Sequence, residues 1–381
     1  MHASNIRNAF TTMDTKDTKA GSPRSQNFVS FVSVVVSVFI VAGMGSLHGA
    51  VQAPTATIRA TRLPQNPLIT VNASPTLGDN VNGPAIIRVP SWIEHPLGRY
   101  YMYFAHHMGT HIRLAYADAV TGPWHVYDPG VLRVENSAFF RPQPDPPENL
   151  ENFYTHVASP EIYVDEPNRR LVMWFHGWWT DGTRWPVGEA AAREWARQRG
   201  YGQYTQSALS SDGVHFDVRP AISKTSYLRV FQHDGYFYGV ARSGLLLRSK
   251  DPTASFAAAR SLFRGGEYAN RVRHVALLPK GPTLYVFFTG IGDAPERVMM
   301  STVDISGDWQ AWAASPPIEL LRPQAPYECT TLPNEPSDAG DIKGPAQQLR
   351  DPAVFQENGK TYLFYSICGE QGIAVAELSG L

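Results

Sequence analysis

Asp351-Pro352-Ala353-Val354-Phe355, reversed at Glu357-Asn358-Gly359-Lys360 and returned as Thr361-Tyr362-Leu363-Phe364-Tyr365, is the stretch that decides the fold. A polar residue before Pro opens an apolar run, and the Asn-Gly pair supplies the positive φ that a hairpin turn needs. A second strand rich in aromatics completes the phrase. The phrase occurs four more times. Gly83-Pro84-Ala85-Ile86-Ile87 leads to Tyr100–Phe104, Ser159-Pro160-Glu161-Ile162-Tyr163 to Leu171–Phe175, Tyr227-Leu228-Arg229-Val230-Phe231 to Tyr236–Val240, and His274-Val275-Ala276-Leu277-Leu278 to Thr283–Phe288. Second strands such as Leu171–Phe175 are nearly continuous apolar runs, the pattern of strands covered on both faces. Third strands follow in several units, among them Ile112–Ala117, Thr205–Ser210 and Gly372–Glu377. Repeats several dozen residues long, each with several strands, are the sequence form of propeller blades. The expectation is an all-β, five-bladed β-propeller whose blade-opening polar residues face a shared axial pocket.

Three segments interrupt the repeat. Ser137 to Thr155 is rich in Pro and Asn, Val187 to Arg199 is the one short helical insertion, and Thr331 to Gln348 is a long polar loop. Long insertions on a rigid scaffold are commonly functional, so these are expected to form the rim or lid of the pocket.

Phe28 to Gly45 is an uncharged run dominated by Val, Phe and Ile behind a polar leader containing Arg7, Lys16, Lys19 and Arg24. It reads either as a secretory signal peptide cleaved after Ala53 or as an uncleaved membrane anchor through 28–45. Residues 1–53 are assigned to that segment, 54–67 to a Thr-, Ala- and Pro-rich linker, and 68–381 to the propeller. The propeller is therefore expected outside the cytoplasm, whether secreted, periplasmic or anchored. A net charge of −1 without any Lys/Arg run gives no surface for nucleic acid. Hydrophobic residues at 43 % and aromatics at 12 % fill a large core instead. Cys329 and Cys368 are the two cysteines; they either pair in an oxidising compartment or remain two thiols, one packed in a strand.

The blade openings Gly83-Pro84, Ser159-Pro160 and Asp351-Pro352, with Ile112-Arg113-Leu114-Ala115-Tyr116-Ala117-Asp118 running into Thr121-Gly122-Pro123-Trp124, resemble the five-bladed propeller glycosidases. These include arabinanases and β-xylosidases, with invertases and levansucrases as more distant relatives. The resemblance covers about residues 68–381 and implies a carbohydrate ligand. It also implies a base Asp in blade one, a second Asp in blade two and an acid Glu opening blade three. Those places hold Gly83, Ser159 and Tyr227, with Arg229 close by. Arg350-Asp351-Pro352 and Glu328-Cys329 match the invertase motifs Arg-Asp-Pro and Glu-Cys, in reverse order and in the last blades.

Glycoside hydrolysis needs two carboxyl groups across the scissile bond. Asp351 is the first choice for base or nucleophile, with Glu328 or Glu161 as acid and Asp79 as a further carboxylate. Asn82, His107, His156, Arg229, Arg273, His274 and Arg350 are the candidate substrate-binding residues. Their Arg and His content suits an acidic or heavily hydroxylated sugar. Trp178, Trp179 and Trp185 are candidates for stacking on sugar faces. No His or Cys spacing supports zinc, and although relatives place a His like His274 near a central Ca²⁺ or water cluster, no metal or cofactor is expected. Two functions remain open at this stage: an exported glycoside hydrolase-like protein, or a carbohydrate-binding propeller that has lost turnover.

Overall fold

The computed structural model describes residues 57–140, 155–181, 189–340 and 342–381. The first of the described residues form two short strands, β1 (Arg59–Arg62) and β2 (Ile69–Thr70), and four blades follow in order. Blade one is β3 (Asn82–Arg88), β4 (Tyr100–Ala105), β5 (His111–Ala117) and β6 (His125–Arg133). Blade two is β7 (Ala158–Asp165), β8 (Arg170–Trp179), β9 (Gly202–Ser210) and β10 (Asp217–Ser223), with helix α1 (Glu189–Arg199) inserted between β8 and β9. Blade three is β11 (Arg229–His233), β12 (Tyr236–Ala241), β13 (Leu245–Ser249) and β14 (Ala257–Ser261). Blade four is β15 (Val272–Lys280), β16 (Thr283–Gly290), β17 (Val298–Asp304) and β18 (Ile318–Leu321). Blade five is β19 (Arg350–Glu357), β20 (Lys360–Ile367) and β21 (Gly372–Ser379), with β1 supplying the outer strand and β2 also pairing with β21.

All these pairings are antiparallel, and among the described residues they make five sheets and one α-helix. The inner strands β3, β7, β11, β15 and β19 touch in that order, and β19 returns to β3, so the ring is closed. The aromatic second strands lie between blades. Tyr101, Tyr103 and Phe175 belong to the core between blades one and two, and Phe287 and Tyr365 to that between blades four and five. All are essentially excluded from solvent, which explains the unbroken apolar runs in the sequence.

Closure happens in blade five, where β1 lies along β21 from Arg59 opposite Ser379 to Arg62 opposite Ala376. The sequence expectation placed this segment in the 54–67 linker. The structure corrects it, because Ile58 and the alternating Arg59-Ala60-Thr61-Arg62 form an edge strand whose β pattern is obscured by flanking prolines. Arg62 then binds Glu328 bidentately through one guanidinium edge, Nε to Oε1 at 2.8 Å and Nη2 to Oε2 at 2.9 Å. The next residue, Cys329, forms a disulfide with Cys368 across a sequence separation of 39, the Cα atoms 5.0 Å apart.

The expected export segment, residues 1–53 with Phe28–Gly45, lies outside the described residues. No helix among the described residues is long and apolar enough to cross a membrane. Most of the Pro-rich insertion, residues 141–154, and Trp185 also lie outside them. The helical insertion is present as α1.

Closing a loop of this size restricts the unfolded chain, so removing the disulfide by Cys329→Ser is expected to lower stability by about 2–4 kcal/mol. Denaturant unfolding checks this. The wild-type protein in reductant should shift to the same midpoint as the variant, and an unchanged midpoint in both would refute a stabilising role.

Candidate axial site

Four of the five inner strands break register where they begin: between Asn82 and Ala85, Ala158 and Glu161, Val272 and Val275, and Arg350 and Ala353. Each break is a bulge, which leaves residues unpaired with the next strand and re-aims their side chains. Gly83, Ser159 and Asp351 occupy these bulges at φ of 62°, 47° and 48°, and Tyr227, just before β11, has φ of 58°. Glycine adopts this region freely, whereas Ser, Tyr and Asp are held there at a cost on the order of 1 kcal/mol or more each. At Gly83 a side chain would also be crowded, since a Cβ would lie 3.2 Å from Ser159 Cα.

The strained residues meet around an aromatic arc. His156 and His176 have ring centroids 6.0 Å apart, His176 and Tyr227 4.3 Å, and Tyr227 and His274 4.4 Å. His274 ends the arc with Nδ1 2.7 Å from Asp351 Oδ1, an ion-pair contact not aligned as a hydrogen bond. Ser366 donates to the other oxygen, Asp351 Oδ2, at 3.0 Å. Beside Asp351 lies a knot of buried charge. Glu370 accepts from Asn80 at 2.6 Å, Asn82 at 2.9 Å and Arg350 at 2.9 Å, and His107 Nδ1 is 3.4 Å away. Arg350 also donates to Gln348 at 2.7 Å and faces Glu296 at 3.3 Å, while Glu296 accepts from Arg273 at 2.9 Å. Arg273 and Arg350 reach the loop above as well, Arg273 donating to the Asp338 carbonyl and both to that of Gly340. The long polar loop expected at the rim is thus fastened over blades four and five by two buried arginines.

Burial opposes charge on both carboxylates, but specific partners win. His107 and Arg350, with the Asn80 amide, hold Glu370 well below the usual carboxylate range. His274 and Arg350 hold Asp351 below its ordinary value against burial and the nearby Glu370. Burial lowers His274 despite the attraction of Asp351, and it lowers His176 much further, helped by His156, His107, His274 and Arg242. Burial pushes the Tyr227 phenol up to about 12. Near neutrality the site therefore holds an ionised Asp351, neutral His274 and His176, and a protonated Tyr227. Asn82 Oδ1, His176 Nδ1 and both ring nitrogens of His274 are buried without an aligned hydrogen bond. Buried polar atoms are nearly always satisfied, so these mark where a ligand or ordered water belongs.

Of the residues singled out from sequence, Asp351, His274, Asn82, His107, Arg273 and Arg350 meet in this arc and knot, with His156 beside His176. Glu161 and Arg229 sit one layer down instead. Arg229 donates to Glu161 at 3.0 Å and to the carbonyls of Pro160 and Val275, tying three blades together across the axis. Alternation along β7 explains this: Glu161 lies past the bulge and lines a 50 Å³ channel below the openings with Arg229. Glu328 is not at the axis network either. It is fully buried and accepts from Arg62, Tyr365 at 3.0 Å and the amides of Gln324 and Ala325 at 2.7 and 2.9 Å. The structure thus gives Glu161, Arg229 and Glu328 internal structural partners. Asp79 is exposed and bonds His106 at 3.0 Å. Trp179 stacks on Tyr204 within the fold, and Trp178 packs under α1.

Glu370, Glu296, His176 and Arg242 were missed from sequence. Glu370, Glu296 and Arg242 sit in the connections between second and third strands and His176 in the last part of the second strand β8, both at the end where the inner strands begin. Among the described residues no three His, Cys, Asp or Glu side chains are grouped to hold a metal ion. Ca²⁺ takes six to eight oxygens, and the Tyr227, His176 and Asp351 surroundings of His274 do not fit it.

The chain is 33 % identical over 367 residues to "Uncharacterized protein R118" of Acanthamoeba polyphaga mimivirus, an alignment covering 90 % of this chain and 96 % of that protein. The chain belongs to that protein's family. It matches no protein-family model. This chain shares a fold with solved glycoside hydrolases. CoXyl43, a GH43 beta-xylosidase/alpha-arabinofuranosidase from a compost microbial metagenome in complex with xylotriose, superposes with a TM-score of 0.53 at 12 % identity, covering 84 % of this chain and 95 % of that one. The GH43_1 enzyme from Xanthomonas citri complexed with xylose gives 0.52 at 10 % identity, covering 85 % and 90 %. The chain is thus a five-bladed propeller with the fold of these glycoside hydrolases.

Two outcomes follow. Glu328→Gln should cost about 2–3 kcal/mol by weakening the bonds to Arg62 and Tyr365, seen as a lower denaturation midpoint, and leave ligand binding by the folded fraction unchanged. A loss of binding at full stability would return Glu328 to the site. His176 and His274 titrate lower in the folded chain than in the unfolded one, so the unfolded state binds more protons as pH falls below about 6.5. Stability should be full above that pH and decline below it, before the loss from Glu370 and Asp351 sets in below about 4.5. Melting curves from pH 7.5 to 5 check this, and His176→Leu should flatten the decline; an equally steep decline in the variant would exclude His176 as a source.

Proposed function

We propose that this protein is an exported glycoside hydrolase-like propeller that binds a glycan in the axial pocket and hydrolyses it there. The observation that carries this reading is the Asp351–His274 pair at the blade openings. His274 is held 2.7 Å from an ionised carboxylate, and its Nε2 is buried and unpartnered. The carboxylate favours the Nδ1–H tautomer, which leaves a lone pair on Nε2 to take a proton from water. The water oxygen bonds to the anomeric carbon as the glycosidic C–O bond breaks. The leaving oxygen takes its proton from Tyr227, the protonated group beside His274. Glu370, charged and bonded on both oxygens, steadies Asn82 and Arg350 rather than donating a proton.

Export is supported by Phe28–Gly45 and by the Cys329–Cys368 disulfide, a bond of oxidising compartments. A sugar ligand is supported by the shared fold and by the unsatisfied amide and imidazole atoms, which suit hydroxyl groups. Arg273 and Arg350 lend the pocket positive charge, which favours an acidic sugar, although their own hydrogen bonds are made inside the protein.

A second reading, carbohydrate binding without turnover, is favoured by Gly83, Ser159 and Tyr227 standing where similar enzymes carry carboxylates. The purified protein and Asp351→Asn should be screened with aryl glycosides and a polysaccharide panel, binding and product release being measured together. The hydrolase reading expects turnover that falls about 100-fold or more in the variant with binding retained. Binding without product in both proteins establishes the second reading, and turnover indifferent to Asp351 removes the site assignment.

A further inference from the structure

We propose that the cavity between α1 and the mouth of blade three is a subsite for the anionic substituent of a sugar, a carboxylate or ester sulfate, with Arg242 as its binding residue. The subsite deepens the glycan reading and rests on it for the sugar, but not for the anion. The cavity has a volume of about 410 Å³ and is walled by Trp178 and Tyr201, with Gln203, Ser226 and three guanidinium groups, Arg193, Arg197 and Arg242. That volume falls in the range of small-ligand sites.

The arginines assigned from sequence to an acidic ligand are already engaged inside the protein. Arg229 serves Glu161 and the blade carbonyls, Arg273 serves Glu296 and the loop, and Arg350 serves Glu370, Glu296 and Gln348. Arg242 differs. Its backbone N–H is fixed to the Ser226 carbonyl at 3.1 Å, while its half-buried guanidinium makes no hydrogen bond or ion pair among the described residues. A guanidinium presents five donors in a planar fork that matches a carboxylate or sulfate.

Across the cavity, Arg193 and Arg197 are spaced i, i+4 on α1, so two like charges share one helix face, an arrangement that disfavours the helix. Glu194 neutralises Arg197 at 2.7 Å, and the described residues lining the cavity include no carboxylate. An anion entering the cavity is met by the guanidinium of Arg242. The aromatic rings of Trp178 and Tyr201 supply the apolar faces on which the C–H side of a sugar packs. The charge of Arg242 also bears on Tyr227 and His176, which places the cavity beside the axial arc.

The test is equilibrium binding by calorimetry to the full protein, with D-glucose, D-glucuronate, glucose 6-sulfate and inorganic sulfate as probes at low and high salt. One charged sugar or both should bind about tenfold or more tightly than glucose, with the advantage lost in salt and abolished by Arg242→Gln. Glucose binding and the melting temperature should not change in the variant. Which charged sugar binds identifies carboxylate or sulfate as the substituent. Equal binding of charged and neutral sugars, no binding of either charged sugar, or an unaltered advantage in Arg242→Gln overturns the proposal. Inorganic sulfate binding as tightly as glucose 6-sulfate overturns its sugar part. Should Arg242→Gln melt early, Arg193→Gln provides the second variant, expected to reduce the same advantage. Since binding is read without turnover, an anion-selective protein that never hydrolyses refutes the hydrolase reading and leaves the subsite standing.

Discussion

Everything at the axis depends on a strand contributed from the other end of the chain. Blade five supplies Asp351 from its inner strand and Glu370 from its last hairpin turn, but its outer strand comes from the segment that precedes blade one. β1 fills the place, and Arg62 carries the closure inward to Glu328 and Tyr365. The Cys329–Cys368 bond then joins this clasp to the turn that bears Glu370. Ring closure and pocket geometry are one constraint. A loosened β1 releases the turn, and with it the partner that holds Arg350, Asn80 and Asn82 in place.

The axial network shows what such closure has to hold. Three buried carboxylates, Asp351, Glu370 and Glu296, lie beside two buried guanidiniums, Arg273 and Arg350. Burying charges in this way is justified energetically only where each has good partners, and apolar packing of the same space would often be as stable. Retention of charge together with backbone strain at Ser159, Tyr227 and Asp351 is a pattern of functional sites rather than of stabilised cores. The orphaned nitrogens of His274 and His176 fit the same interpretation: the network is complete on the protein side and open toward the axis.

Much of this was legible in the sequence. The blade phrase located every inner strand and its hairpin, because burial on both faces leaves an unbroken apolar signature, and it brought Asp351, His274, Ser159, Tyr227 and Gly83 to the blade openings. What it could not reveal was direction and satisfaction. Glu161 is only two residues from Ser159, but the bulge and the alternation of the strand turn it into the channel, where Arg229 meets it. Glu328 reads like half of a catalytic motif because its neighbours in sequence are shared with one, whereas its partners, Arg62 and Tyr365, are distant in sequence. Glu370 and Arg242 lie in connections with no repeated phrase of their own. Counting the second-to-third-strand turns as part of the same end of the propeller would have brought both into view.

The placement of the arginines explains how such a site can change its chemistry while keeping its fold. A guanidinium with every nitrogen bonded to an internal acceptor is a fixed part of the wall, contributing positive charge more than a directional bond to a ligand. Arg273 and Arg350 are in that condition, so the blade openings read hydroxyls, through Asn82 and the histidines, more readily than carboxylates. A guanidinium fixed by its backbone alone can still form a bidentate bond, and Arg242 is in that condition, on the insertion side of the mouth. Beside blade three the described lining includes no carboxylate, and the inserted helix provides a cationic wall that the blade openings do not.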